Sequence, residues 1–547
     1  MHRVAAVGID SADRALIERL IHEGRLPNLA RLQAVGREVR FNNDIYGKPE
    51  EAWTSFLYGD APYRAGYWSN LTFDPATYRS YRQGTFDGVP FYAGGGRRSL
   101  VFDVPKSTLA SDVVGTQITG WGAHAASFPR ASRPTGLIRE LDRRFGPHPT
   151  LGNDYHSGWY QPDFVEELAD SLVEGAAIRA DATRWLLDRN TDWDLFLTVL
   201  SETHSGGHEL WHGVDPNHLL AAAPTAAAAG RRLVEVYQAV DGALGRIIEG
   251  LPVDTTLVVF SVHGMKANDS DLATELLLPE LLHRHCGGRP RLGGPDHKLW
   301  REQGYPAVLP DPRRRPMAAA RDALDAPLAE RLRRKAASGP LLDLERALRR
   351  FRGKPPGHRP VWKTAADAAP ETDPSDIGPA MLEEPATDYP NLWYQGQWPS
   401  MRAFSLPSFG EGRIRINLAG RERDGIVEKD DYERTCGELE QLLAASINPR
   451  TGHSIAAEVV RSHHGDPMDP TAPDGDLIIR WDSAVDALAH PELGTIGPFP
   501  MFRMSEHNND GFAWVSGPGI ESARLQDRPT EALPLLILAL LEGRVPS

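Results

Sequence analysis

Two histidines stand four residues apart, directly after an apolar run. His204 and His208 lie in the segment Ser201–His208, which follows the run Asp194–Leu200. A spacing of four residues places two side chains on one face of a helix. Paired imidazoles at that spacing commonly bind zinc or another transition metal. The chain has 19 histidines, so the pair alone does not distinguish a metal site from ordinary surface or core histidines.

Other ligand-type side chains also stand at the ends of apolar runs. Asp10 follows the run Arg3–Ile9, His263 follows Thr255–Ser261, and His507 lies just before a further apolar run. Continuous apolar, β-branched runs are typical of strands buried on both faces of a parallel sheet. In open α/β sheets, functional groups gather beyond the carboxyl ends of the strands. We therefore expect Asp10, the histidine pair and His263 to share one rim.

Helical patterns separate these predicted strands. They cover Asp13–His22, Gln161–Asn190 and Thr225–Gly250. Alternation of strands and helices predicts an α/β fold with a doubly wound, mostly parallel sheet flanked by helices.

The middle of the chain differs in composition, since it is rich in proline and arginine. We predict an inserted cap or lid over residues 279–389. Residues 1–278 then form the first part of the core, and residues 390–547 form its second part, which carries His507.

Composition restricts the classes of partner. The 547 residues carry a formal net charge of −14, which argues against a nucleic-acid binder. A local basic pocket for a small anionic metabolite remains compatible with that charge. Two cysteines cannot build a disulfide framework or a cysteine-rich zinc site. The run Leu535–Leu541 is too short to span a bilayer, and no signal peptide is visible, so we expect a cytoplasmic protein without a membrane partner. The oligomeric state is left open.

Several short motifs, taken in order, resemble one family. They are Val7-Gly8-Ile9-Asp10 with Gly24–Leu29, Ala52–Phe56 with Gly59, Ser201–His208, Ser261–Met265, Arg415–Glu422 and His507–Gly519. Together they resemble the type I phosphodiesterase/nucleotide pyrophosphatase branch of the alkaline phosphatase superfamily. The resemblance implies an alkaline-phosphatase-like fold and a site with two divalent metals, typically zinc. Such a pair stabilises the attacking and leaving oxygens of an in-line phosphoryl displacement.

The sequence departs from the family pattern at three positions. The family has aspartate where this chain has His204 and Val262. Counting back from Gly59, the position of the family's Thr or Ser nucleophile is occupied by Pro49. Proline has no nucleophilic side chain, so the chemistry must differ from that of the family.

The resemblance maps one metal onto His204, His208 and His507. Three imidazoles make a sound site for zinc, with iron or manganese as alternatives. The second site keeps only Asp10 and His263, so we predict that it is weak or absent unless Glu50, Glu51 or Glu202 completes it. We therefore expect one tightly held divalent metal.

Four residues are candidates for catalysis: Asp10, His263, Glu51 and Thr54. Asp10 and His263 are predicted to act in acid/base chemistry beside the metal. Glu51 has an alternative interpretation as a solvated carboxylate at a helix start, and Thr54 as a helix-packing residue. Without a side-chain nucleophile, a metal-activated water is expected to attack the substrate.

Three functions follow from these residues. The first is a divergent metal-dependent hydrolase of a phosphate, phosphodiester or sulfate ester. The second is a repurposed metalloenzyme with lyase, isomerase, transferase or redox chemistry. The third is a non-catalytic homologue that binds a metal or an anion. Fold alone does not choose among them.

Overall fold

A computed structural model describes most of the chain. The described residues are 2–43, 52–60, 71–82, 88–122, 129–150, 157–311, 315–325, 371–372, 384–385, 389–463, 465–470, 472–518, 520 and 527–544.

The strands within these residues are numbered in chain order. They are β1 (Val4–Ile9), β2 (Arg37–Asn42), β3 (Leu71–Asp74), β4 (Arg79–Arg82), β5 (Arg98–Phe102), β6 (Val114–Thr119), β7 (Ala131–Arg133), β8 (Leu195–Leu200), β9 (Thr256–Ser261), β10 (Met265–Ala267), β11 (Glu384–Pro385), β12 (Ala403–Leu406), β13 (Gly412–Ile416), β14 (Ala456–Arg461), β15 (Leu477–Trp481), β16 (Leu488–His490), β17 (Gly494–Ile496), β18 (Ser505–His507) and β19 (Asp510–Ser516).

The α-helices are numbered in the same way. They are α1 (Arg14–His22), α2 (Pro27–Val35), α3 (Ala52–Tyr58), α4 (Leu137–Phe145), α5 (Pro162–Arg189), α6 (Glu202–Leu210), α7 (Ala226–Glu249), α8 (Leu278–His285), α9 (His297–Glu302), α10 (Pro316–Ala323), α11 (Tyr432–Ala445) and α12 (Ala532–Leu541).

An eight-stranded sheet organises the fold, in the order β2-β19-β9-β1-β8-β5-β6-β7. Its central strands, from β9 through β1, β8 and β5 to β6, all pair in parallel. The strands β2, β19 and β7 pair antiparallel at the two sides. This topology confirms the predicted α/β fold with a mostly parallel sheet.

Both faces of the sheet are covered. Successive side chains of a strand point to opposite faces, and β1 is buried along its whole length. Ala5, Val7 and Ile9 belong to one apolar cluster together with residues of α5 and α7. Val4 and Ala6 belong to a second cluster, which contains residues of α3 and α12. The sheet is therefore doubly wound, as the continuous apolar runs predict.

The later part of the chain contributes a separate small sheet. Its four antiparallel strands lie in the order β12-β13-β15-β14. The chain then returns to the main sheet through β19, immediately after His507. The predicted cap start at residue 279 falls inside α8, whose Leu281 and Leu282 are buried in the main cluster. The division into core and cap stays a prediction.

No helix of the described residues combines the length and the apolar character needed to cross a bilayer.

Candidate metal centre

The central strands end in register at one rim of the sheet. Ile9 of β1 lies opposite Leu200 of β8, and Gly8 lies opposite Phe260 of β9. The backbone N–H of Asp10 continues this ladder by donating to the carbonyl of Leu200 at 2.8 Å. The residues that follow the three strands therefore emerge side by side, as expected for parallel strands.

Three histidines meet at this rim. His204 and His208 lie on α6 and are fully buried, and His507 ends β18 and is partly buried. One ring nitrogen from each residue lies within 4.8 Å of the other two. The two Nε2 atoms of α6 are 3.3 Å apart. Residues from two distant parts of the chain thus converge, as the sequence predicts.

The ring of His208 is held in the orientation that a metal ligand needs. Its Nδ1 lies 2.9 Å from the backbone carbonyl of Ser505. A carbonyl only accepts hydrogen bonds, so Nδ1 carries the proton and Nε2 carries the lone pair. This contact to the other ring nitrogen is the usual way in which proteins orient a ligating histidine.

The donor set fits a divalent transition metal. Zinc–nitrogen bonds are about 2.0–2.1 Å long, which places two ligands of a tetrahedral ion about 3.3 Å apart. The two imidazoles of α6 have this separation. Three neutral nitrogen donors suit zinc, iron or another first-row metal better than magnesium or calcium, which prefer oxygen ligands.

Asp10 and His263 lie beside this trio. The ring of His263 stacks on that of His507 with centroids 4.1 Å apart. Its Nε2 is 3.8 Å from Oδ1 of Asp10, which accepts a hydrogen bond from Nε1 of Trp53 at 2.9 Å. Asp10 and His263 are both buried, and the predicted catalytic pair adjoins the three histidines.

Among the described residues, position 262, where the family has an aspartate, carries an apolar side chain. Val262 is completely buried and packs in the apolar cluster that contains Trp53 and Phe260. Thr54 is buried on α3, and its role as a substitute nucleophile stays a prediction. The predicted candidates Pro49, Glu50 and Glu51 lie outside the described residues.

Glu202 takes part in a buried ion network with Arg179 and His148, and its role in a second metal site stays a prediction. Its Oε1 accepts hydrogen bonds from Nε of Arg179 at 2.8 Å and from Nε2 of His148 at 3.0 Å. Arg179 also donates to Asp103, at 2.8 Å. Although burial alone would raise the pKa of Glu202, Arg179 and His148 lower it to about 2. The network anchors the first turn of α6, which carries His204.

Sequence reasoning missed three contributors to this region: Ser11, Trp53 and Arg179. Ser11 follows Asp10 directly, and its position at the end of a buried strand is the only sequence signal for it. Trp53 stands in a quoted motif, but its hydrogen bond to Asp10 depends on how α3 packs. Arg179 directly follows the uncharged run Gly175–Ile178 of α5, a position that favours a buried cation with a partner.

Comparison with models of known protein families identifies the family of this chain. The family model of type I phosphodiesterase/nucleotide pyrophosphatase matches residues 4–348. The chain belongs to this family. The match contains Asp10, His204, His208 and His263, and it ends before His507. The family lies in the alkaline phosphatase superfamily, and its description names phosphodiesterases and nucleotide pyrophosphatases, which supports phosphoester hydrolysis in general. Comparison with curated proteins gave no match.

Two solved structures align with nearly the whole chain at low identity. Phosphonoacetate hydrolase from Sinorhizobium meliloti 1021, in complex with phosphonoformate, is 12% identical with a TM-score of 0.47, covering 99% of this chain and 96% of that chain. Murine ectonucleotide pyrophosphatase/phosphodiesterase 5, in complex with AMP, is 10% identical with a TM-score of 0.44, covering 99% and 95%. Since both scores are below 0.5, the fold class rests on the sheet topology of this chain.

Proposed function

We propose that this protein is a divergent metal-dependent hydrolase of a phosphate, phosphodiester or sulfate ester. The observation that carries the proposal is the convergence of three imidazole nitrogens within 4.8 Å at the rim where the strands end. Membership in a family of phosphoester hydrolases supports the reaction class. The substrate is expected to be a small anionic metabolite.

His204, His208 and His507 would hold one divalent metal, with zinc expected first and iron or manganese as alternatives. A metal bound there supplies a Lewis acid and lowers the pKa of water toward neutrality. Binding would be tight at this trio alone, because Val262 contributes an apolar side chain where the family has a carboxylate. Asp10 and His263 would form at most a weak second site.

His263 and Asp10 would handle the proton that the attacking water releases. His263 lies against His507, and we assign to its Nε2 the role of accepting the proton of a water that attacks beside the three histidines. Asp10, fixed by the hydrogen bond from Trp53, lies 3.8 Å from that nitrogen and favours the positive charge that develops on it. Because Pro49 offers no nucleophile, water attacks the ester directly.

A substrate panel tests this proposal. The full chain, loaded with one equivalent of Zn²⁺, is assayed with p-nitrophenyl phosphate, bis(p-nitrophenyl) phosphate and p-nitrophenyl sulfate. We expect turnover of at least one ester, and its loss on His208→Ala. His212→Gln is the matched control, since His212 stands one turn further along and hydrogen-bonds Thr225 at 3.1 Å. Its turnover should match that of the wild type.

Two results would contradict the proposal. Stoichiometric zinc without hydrolysis of any of the three esters would favour the repurposed or non-catalytic alternatives. A covalent phosphoryl adduct, trapped by acid quenching and located by peptide mass spectrometry, would replace water attack by a side-chain nucleophile.

A further inference from the structure

Ser11 has an unusual backbone conformation next to the site. Its φ angle is +54°, in the left-handed region that a residue with a Cβ atom rarely adopts. The residue is completely buried at the carboxyl end of β1, directly after Asp10. Strained residues of this kind persist where the surrounding structure holds them, and they cluster at functional sites.

The hydroxyl of Ser11 lies between two side chains of the site. Its Oγ is 3.3 Å from Nδ1 of His263 and 3.5 Å from Oδ1 of Asp10. A hydroxyl donates one proton and accepts through its lone pairs, whereas a carboxylate only accepts. The proton of Ser11 is therefore directed to Asp10, and its lone pair is left to accept from Nδ1–H of His263.

We propose that Ser11 is a positioning residue that selects the tautomer of His263. With the proton held on Nδ1, the Nε2 atom carries the lone pair. This is the form that accepts a proton or binds a cation through Nε2. The left-handed backbone of Ser11 is the conformation that brings its hydroxyl to the ring. The use of that lone pair in catalysis rests on the proposed function, but the tautomer does not.

Two groups of neighbouring contacts hold the ring and the main chain of His263. His263 stacks on His507 on one side. Oγ of Ser261 donates a hydrogen bond to the backbone carbonyl of His263 at 2.8 Å and accepts one from the backbone N–H of Ala12 at 3.2 Å. Ser261 thus fixes the main chain of His263, whereas Ser11 contacts its ring. The two serines form a matched pair for a test.

Nitrogen NMR of the full chain, labelled with ¹⁵N-histidine, measures the tautomer directly. The His263 signals are assigned from their loss in His263→Asn, and spectra are recorded without metal and with one equivalent of Zn²⁺. In the wild type we expect Nδ1 of His263 to carry the proton and Nε2 to be unprotonated. Ser11→Gly and Ser11→Ala should both lose this state and show the other tautomer or a mixture. Ser261→Ala should keep it.

The two variants of Ser11 distinguish the effect of losing its hydroxyl from the effect of straining its backbone. Glycine adopts a positive φ without strain, so Ser11→Gly remains informative even if Ser11→Ala does not fold. The proposal is overturned if the wild-type ring is protonated on Nε2 alone or on both nitrogens, or if Ser11→Gly keeps the wild-type tautomer. Failure of the proposed function would show separately, as missing ester hydrolysis with an unchanged His263 spectrum.

Discussion

Replacement of Arg179 by methionine should destabilise the protein strongly, because its guanidinium is the positive charge that contacts both carboxylates of the described network around Glu202. The guanidinium is fully buried and contacts both Glu202 and Asp103 at 2.8 Å. It also lies over the ring of Trp121, at 5.1 Å from the centroid. Methionine fills much of the same volume but leaves two carboxylates without their counter-ion.

The magnitude follows from two independent considerations. Removing one partner of a buried ion pair typically costs about 3–5 kcal/mol. Arg179 and His148 outweigh burial and lower the pKa of Glu202 from 4.5 to about 2. At about 1.4 kcal/mol per pH unit, the ionised form of Glu202 contributes about 3 kcal/mol to folding. Since the pKa is lowered in the folded state, this contribution is present above pH 4.5 and is lost as the pH falls toward 2.

Guanidinium denaturation at pH 7 measures the change in the free energy of unfolding. This change is the shift in the denaturant midpoint multiplied by the m-value common to the two proteins. Arg189→Met is the control on the same helix, because Arg189 is half-exposed and pairs with Glu140 at 2.9 Å. Exposed pairs are worth about 0–1 kcal/mol. We expect a loss of about 3–5 kcal/mol for Arg179→Met and less than about 1 kcal/mol for Arg189→Met. Equal losses would refute the reasoning.

Two further predictions concern buried side chains near the site. Burial beside His218 lowers the pKa of His212 from 6.5 to about 3, so the unfolded chain binds a proton that the folded chain does not. The free energy of unfolding should therefore fall by about 1.4 kcal/mol between pH 7.5 and 5.5. His212→Gln should remove this contribution, so its melting temperature should fall less steeply over that pH range than that of the wild type. Parallel plots of melting temperature against pH for the two proteins would contradict the prediction. Trp53→Phe keeps an aromatic ring but removes the N–H that donates to Asp10, and a charge-assisted hydrogen bond of this kind contributes about 1.5–3 kcal/mol. Thermal melts measure that loss, and a melting temperature equal to the wild type would argue that the bond contributes nothing.

The elements that hold the site could be predicted from sequence because their signals are local. The apolar runs that became β1, β8 and β9 are continuous, which identifies buried parallel strands. The spacing of His204 and His208 identifies one face of a helix, and α6 carries both. The predicted helix Thr225–Gly250 agrees with α7 within one residue at each end.

The contacts that tune the site could not be predicted, because they depend on tertiary packing. Glu202 meets Arg179, which lies 23 residues earlier on α5, only because α5 packs beside α6. The sequence shows Glu202 as a spare metal ligand but does not show the ion network that it joins. The left-handed backbone of Ser11 likewise has no local signal, since glycine or asparagine is the usual residue for that conformation.

Metal stoichiometry and affinity test the central claim most directly. The full chain is stripped with a chelator and titrated with Zn²⁺ in competition with a chromophoric chelator, in the wild type and in His204→Ala, His208→Ala and His507→Ala. The account predicts one tight equivalent per chain in the wild type and its loss in each of the three variants, with His212→Gln unchanged. Two tight equivalents in the wild type, or full retention of zinc in any of the three alanine variants, would contradict it.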